Sequence, residues 1–523
     1  MLARLGRVLG GSMRRKSRSL LLLGAGAVAV GWPAGATTYT ITELGDGVAA
    51  DGHCRLREAL QAAVNQMVVN ECPAGSGVNT IVLQAVGVYP FNQGDEIWAF
   101  HALTIEGATG DPANHVIDLG GANRFLDSGT DAVLTLQGLT ITRGNGVIDG
   151  QNMGGALLVN QTELTMRDVV ISSSTAARGG GLFYGGFPAT ALLERVRFED
   201  NTAIGTPTAI VGVGGGVSMS LSGATVTLTD VVFDGNRADT EQPDSPSIGG
   251  GLAVTAFGST ELQLQRLTVE NQQVDGTQYG DGAGIQISAQ GTSRIALLDS
   301  SFTDNESLKG DSVSLGSALS VSLFESASLE LRRLAMAGNL STISNSAQVL
   351  VHTTGASSAL LDSSLFRDGN QAGIIALNTG TGTLVAGQLT ITGHSGSGLV
   401  VATTGAATVR LENSIVWDNA SPDIFLGSGN LDADRVANHN WVGSLGDPDP
   451  LFVDPANGDY SLQSGSGALD EGDATFASVG PFDLAHGPRV SGTGLDLGAL
   501  ERGSLFADDF ESGDLSAWTQ VFP

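Results

Sequence analysis

The feature that most constrains this chain is a repeat that pairs a glycine turn with a closing asparagine. Gly179-Gly180-Gly181-Leu182-Phe183-Tyr184 leads to Val196-Arg197-Phe198-Glu199-Asp200-Asn201. Gly214-Gly215-Gly216-Val217 leads to Phe233-Asp234-Gly235-Asn236, Gly249-Gly250-Gly251-Leu252 to Val269-Glu270-Asn271, and Gly282-Ala283-Gly284-Ile285 to Phe302-Thr303-Asp304-Asn305. Weaker copies end at Asn339, Asn370 and Asn419, so from Asn201 the closing Asn recurs at steps of 35, 35, 34, 34, 31 and 49. The last step holds an extra coil near Leu389–His394. A period of this size means stacked units. Strands of four to six residues with period-two alternation cannot stand alone. Gly and Asn occupy the sharp turns because both tolerate φ > 0. With no helical crossover between equivalent strands, they must lie parallel by coiling. The expected fold is all-β: a single-stranded right-handed parallel β-helix, of about ten to thirteen coils at ~4.8 Å each. A sandwich or propeller fits the uneven strand spacing and regular Gly triplets less well.

A column of charge fixes the expected register. Asp168, Arg195, Asp230, Asp299 and Arg333 each lie six residues before the closing Asn or its equivalent Ser174, and Arg266 lies five before Asn271. Read along the chain, the column alternates Asp and Arg. Stacked coil on coil it forms a structural charge ladder, and a register with like charges adjacent is disfavoured. The competing reading is a substrate-binding charge row.

Both ends of a solenoid need a cover. At the N-terminal end, Cys54 to Val64 is the best helix in the chain, with Leu56, Leu60, Ala63 and Val64 on one face. Its Arg57 and Glu58 read as structural polar partners. Cys54 and Cys72 are the only cysteines, and in an exported chain an even pair reads as a disulfide. Near Asn430 the repeat dissolves into a Pro- and aromatic-containing stretch, expected as an irregular C-terminal cap over 431–505, and residues 506–523 read as an acidic tail.

Export is read from the first 36 residues. Arg4, Arg7, Arg14, Arg15, Lys16 and Arg18 precede an apolar run from Leu20 to Val30, and Ala34-Gly35-Ala36 offers a cleavage site before Thr37. Met13 is an alternative start. Removing six basic residues leaves 19 Lys+Arg against 54 Asp+Glu, a net charge of −35, with Lys309 the only lysine. Such a surface repels nucleic acid and anionic lipid, and no transmembrane segment is expected in the mature chain. The expected organisation is a signal peptide over 1–36, an N-terminal cap over 37–80, β-helix repeats over 81–430, then the cap and tail.

Cys54–Ala63 resembles the "CSLREA" motif of bacterial exported proteins, with Arg55 where Ser is usual. The Phe198–Asn201, Phe233–Asn236 and Phe302–Asn305 units resemble polymorphic outer membrane protein repeats. Ser414–Trp417, Asp449–Leu462 and Asp496–Glu501 resemble the "choice-of-anchor Q" domain. The resemblance implies a pectate-lyase-like β-helix, secreted or at the outer surface and outer membrane-associated, with no settled activity. The 22 residues after Glu501 are expected to be too few for a membrane barrel.

Polysaccharide lyase or hydrolase chemistry on such a fold needs clustered carboxylates, to move protons or to hold Ca²⁺. With Leu182, Val217, Leu252, Ile285 and Leu319 pointing inward, alternation turns Phe183, Ser218, Ala253, Gln286 and Ser320 outward, followed by Gly185, Ser220, Thr255, Ser288 and Ser322. None is charged. Phe183, Ser218, Ser220, Thr255, Gln286, Ser288, Ser320 and Ser322 therefore form a candidate binding face suited to sugars or another protein. Asp275 with Asp281, and Asp447, Asp449, Asp454 and Asp459, are Ca²⁺ candidates that solvated loops and ordinary turn chemistry explain as well. No Gly-x-Ser-x-Gly, P-loop or His-Glu-x-x-His motif occurs. The sequence leans to a non-enzymatic β-helix rod, adhesin-like or carbohydrate-binding, with polysaccharide or a cell-surface protein as partner and no cofactor. A polysaccharide lyase or glycoside hydrolase on the same fold is the alternative.

Overall fold

The computed structural model describes residues 35–502 except 131, 148–149, 309–315 and 421. The expected signal segment (apart from residues 35 and 36), Lys309 and the acidic tail lie outside the described residues.

One coil shows how the repeat folds. Leu182–Gly186 forms a strand, and Thr190–Glu199 follows as a longer one that bends at Arg195. The chain turns at Asp200 and Asn201, runs through Thr202–Gly205 and Gly212–Val213, and reaches the next glycine turn. Each segment pairs in parallel with its counterpart one coil on: Leu182 with Val217, Ala191 with Val226, Phe198 with Phe233 and Thr202 with Arg237. The strands after the glycine turns build a 12-stranded sheet, and the bent strands build a 22-stranded one. The fold is a right-handed parallel β-helix. Its one antiparallel strand pair among the described strands joins Phe452–Asp454 to Asp459–Leu462, outside the coils.

Alternation buries one face of most strands. Ile141, Ile171, Phe198, Phe233, Val269, Phe302, Met336, Phe366, Ile391 and Val416 stack as one inner column. The Phe198 and Phe233 rings lie 5.3 Å apart and nearly parallel. Burying each such side chain contributes about 1.5–3 kcal/mol.

Three corners close the coil by three different means. The glycine turn needs left-handed backbone and bare space: Gly214 has φ 67°, and a Cβ there would sit 2.1 Å from the Val217 carbonyl oxygen. The corner inside the bent strand also takes left-handed backbone, yet mostly without glycine. Gly138, Asp168, Arg195, Asp230, Arg266, Asp299, Arg333, Ser363, Gln388, Asn413 and His439 all have φ between 46° and 60°.

The third corner is held from inside by a buried amide ladder. The Asn201 amide nitrogen donates to the Ile171 carbonyl (2.8 Å) and to Asn236 Oδ1 (3.0 Å). Asn236 Nδ2 donates to Phe198 O (2.8 Å) and Gln272 Oε1 (3.0 Å), and Asn305 Nδ2 to Val269 O (3.0 Å) and Asn339 Oδ1 (2.8 Å). The closing position differs from the sequence expectation in two coils. Asn271 sits outside, at φ 59°, and Gln272 takes the ladder site. Arg266 is therefore six residues from its closing residue, like its neighbours. Farther on, the register puts Gly369 rather than Asn370 in the ladder. The space Gly369 leaves is taken by Gln348 and by the buried His394.

Helix α1 (Leu56–Asn65) closes the N-terminal end, burying Leu56, Ala59, Leu60, Ala62 and Ala63. Cys54 and Cys72 form a disulfide that ties the helix to the following loop. Arg57 is bonded to Asp46 and lies 3.7 Å over the Phe91 ring, while Glu58 accepts from Ala49 N, Arg55 N and Asn70 Nδ2.

After Trp441 the chain doubles back. Residues 447–502 lie along the outer face of the bent-strand sheet, as a strap. Phe452, Tyr460, Leu462, Ala468, Leu497 and Ala499 cover Leu365 and Ile415, with Trp417 and Trp441 at the edge. Among the described residues no helix is long and apolar enough to cross a membrane.

Candidate binding groove at the charged corner

At the bend, left-handed backbone carries the charged corner residues, which meet their neighbours one coil away, while Ser363, Gln388 and Asn413 bond the strap instead. Arg195 donates from Nε to Asp168 Oδ1 (2.7 Å) and from Nη2 to Oδ2 (3.0 Å). Arg266 grips Asp230 in the same two-pronged way, at 2.6 and 2.9 Å. Arg333 Nε donates to Asp299. Each arginine thus reaches back to the aspartate of the preceding coil. The arginine bonds hold the Asp168 and Asp230 carboxyls below the usual carboxylate range. For Asp299 burial pulls upward, but bonds from Arg333 and Gln265 outweigh it and its carboxyl also stays low. The first two pairs are half exposed, so solvent screening leaves them weak.

The third pair differs because the strap reaches it. Arg333 and Asp299 are only 12% and 7% exposed at their side chains, with His486 Nε2 3.6 Å from Asp299 Oδ1. Around them lies a groove of about 300 Å³, with Thr268, Ser301 and Ala335 as floor, Arg266, Asp299 and Arg333 along the corner, and Leu484 and His486 as wall. Guanidinium, hydroxyl, imidazole and carboxylate groups within one shallow channel can hold an array of hydroxyls. Its carboxylate is held low by arginine, so it has no acid form near neutral pH to protonate a leaving group.

The strap is fixed by a buried charged cluster. Arg489 is bonded to Gly498 O, and Asp362, Asp483, Asp496 and Glu501 surround it, all nearly inaccessible. Glu501 stands 3.9 Å from Arg489, too far for a hydrogen bond, so burial wins and its carboxyl is pushed up to about 8. Ser363 Oγ donates to Phe482 O (3.3 Å), Ala499 N to Thr390 Oγ1 (2.9 Å) and Gly498 N to Asn413 O (2.9 Å).

The uncharged face after the glycine turns is less open than alternation suggests. Phe183, Ser218 and Ser320 are buried, while Ser220, Thr255, Gln286, Ser288 and Ser322 are half-buried. Over Ser320 the reason is visible: its hydroxyl donates to Asp281 (3.0 Å), whose strand comes against Gly316–Leu323. Burial pushes the Asp281 carboxyl up to about 6. Asp275 lies 3.3 Å from Arg237. Of the other acids, Asp447 is bonded to Arg435 and to Val442 N, Asp449 to Leu451 N, Asp454 to Asn457 and Asp459 to Ser461 N. Among the described residues no three His, Cys, Asp or Glu side chains are grouped to hold a metal ion.

Leu484 and His486 were not foreseeable. They lie more than 180 residues from Asp299 in a segment without repeat, and only strap docking brings them to the corner.

No family model matches the sequence, and no curated protein matches it. Among solved structures, the chain is similar to pectate lyase Pel9A, with 12% identity, 90% of this chain and 98% of that one covered, and a TM-score of 0.39. It is also similar to tailspike protein 3 of bacteriophage CBA120, with 13% identity, 71% of this chain and 57% of that chain covered, and a TM-score of 0.25.

Proposed function

We propose that this chain is an exported rod, secreted or held at the outer cell surface, that binds polysaccharide in the corner groove without cleaving it. The carrying observation is the groove itself, where the Asp299–Arg333 pair, Arg266, His486, Thr268 and Ser301 converge. The basic, then apolar, then small-residue leader supports export. The disulfide suits an oxidising compartment. On this reading the CSLREA-like segment is the N-terminal cap and the choice-of-anchor Q-like segment is the strap.

The test is a glycan array followed by a depolymerisation assay with the purified chain. Binding should be weakened by Asp299→Asn and Arg333→Met, and no new reducing ends or unsaturated products should form. Chain cleavage by the wild type, lost in Asp299→Asn, would transfer the reading to a polysaccharide lyase or hydrolase.

A further inference from the structure

The outward residues of the bent-strand sheet divide into two runs. Val232, Thr268, Ser301 and Ala335 are half-buried, as on an uncovered sheet, whereas Leu365, Thr390 and Ile415 on the next coils are buried. The strap makes this boundary. Phe452, Tyr460, Leu462, Leu497 and Ala499 fill the face over Leu365 and Ile415, and Leu484 and His486 stand where the cover ends. The strap cannot slide along the coils, because Ser363, Thr390 and Asn413 each hydrogen-bond it.

Resting on the function proposed above, we infer that the groove is blind: the strap tip at His486 stops a neutral glycan, so the site recognises a chain end and not a chain interior. The open track from Val232 to Ala335 crosses four coils, roughly 15 Å at ~4.8 Å per coil. Its side chains are small, and Arg197, paired with Glu199, is the next exposed outward residue beyond it. A chain can enter from that side, but at Ala335 it meets the strap. The preference for an uncharged sugar follows from charge. The corner arginines are each matched by an aspartate, which leaves no spare cation for a uronate. The whole chain's formal charge of −29 repels a polyanion as well.

The probes are short neutral glucan, mannan and galactan oligosaccharides and the matching long polymers, titrated calorimetrically against the full chain. A blind groove gives equal affinity for oligomer and polymer when counted per chain end. Modifying the terminal residue abolishes binding. His486→Gly, which suits the φ of 64° at that position, removes the imidazole at the stop but leaves the strap over Leu365 and Ile415, so end-only recognition should persist with affinity lowered about tenfold. Ser301→Trp should block the track and abolish binding, with folding checked by far-UV circular dichroism. Polymer binding that scales with internal residues in the wild type overturns the stop but leaves the glycan reading intact. Failure of every probe to bind overturns both.

Discussion

Gln272 and Asn271 offer a sharp test of how the coils are held. Both are amides, side by side, and the Asn repeat nominates Asn271. In the structure Gln272 does the work: its Oε1 accepts from the Asn236 amide N–H (3.1 Å) and Asn236 Nδ2 (3.0 Å), with no exposure to solvent. Gln272→Ala leaves two buried donors without that acceptor. At about 1–3 kcal/mol for the stranded backbone N–H, plus ~1 kcal/mol for the bond that Asn236 Nδ2 loses while it keeps Phe198 O, the substitution should cost about 2–4 kcal/mol. The Asn271 side chain is exposed and donates only to Asp234 (2.9 Å). Asn271→Gly keeps the left-handed backbone and should change stability by less than about 1 kcal/mol. Urea unfolding followed by far-UV circular dichroism measures both, on the transition of the coils. Equal losses for the two variants, or a larger one for Asn271→Gly, would refute the ladder as the device that sets the corner.

Arg489→Met strands several buried carboxylates and should loosen the strap by about 3–5 kcal/mol, read as a red shift of Trp417 and Trp441 emission. His394 is buried and held neutral, with its pKa pushed down to about 4. The unfolded chain binds that proton near pH 6.5 and the folded chain does not, so stability should fall by about 3 kcal/mol between pH 6.5 and 4. His394→Asn should remove that part of the acid sensitivity in thermal melts at the two pH values. Reducing the Cys54–Cys72 bond, which spans 18 residues, should lower the stability of the N-terminal cap by about 3 kcal/mol, with exchange protection lost first in helix α1.

The coiled architecture is legible in the sequence because its signals are local and repeated. Glycine triplets, period-two strands and closing amides recur within each coil, and α1 announces itself by its apolar face. The Asp–Arg column is legible too, since each pair is one coil apart. Its backbone is not: Asp168 tolerates left-handed backbone, but nothing in Arg195 marks a left-handed residue. The ladder slips from view where Gln272 replaces Asn and where Gly369 has no side chain at all. The strap is hidden for a different reason. Its contacts, such as Phe452 and Leu497 over Ile415, join segments with no shared period, and the groove wall at His486 depends wholly on that docking. Outward Ser320 likewise reads as exposed until Asp281 is seen above it.

The three corners leave one edge where the chain changes length most. From the bend to the ladder the distance never varies: Asp168 to Ser174, Arg195 to Asn201, Arg266 to Gln272 and Gln388 to His394 are all six residues. Yet from one bend residue to the next the count runs from 25, between Ser363 and Gln388, to 36, between Asp230 and Arg266. Much of the difference falls in the stretches that leave the ladder for the glycine turn, such as 204–213 and 240–248. Insertions at that edge add new surface while the stacked interior and the charged corner keep their registration. Most of the variation in such a chain is thereby channelled to one seam, and grafted loops placed there should be carried without disturbing the groove on the opposite corner.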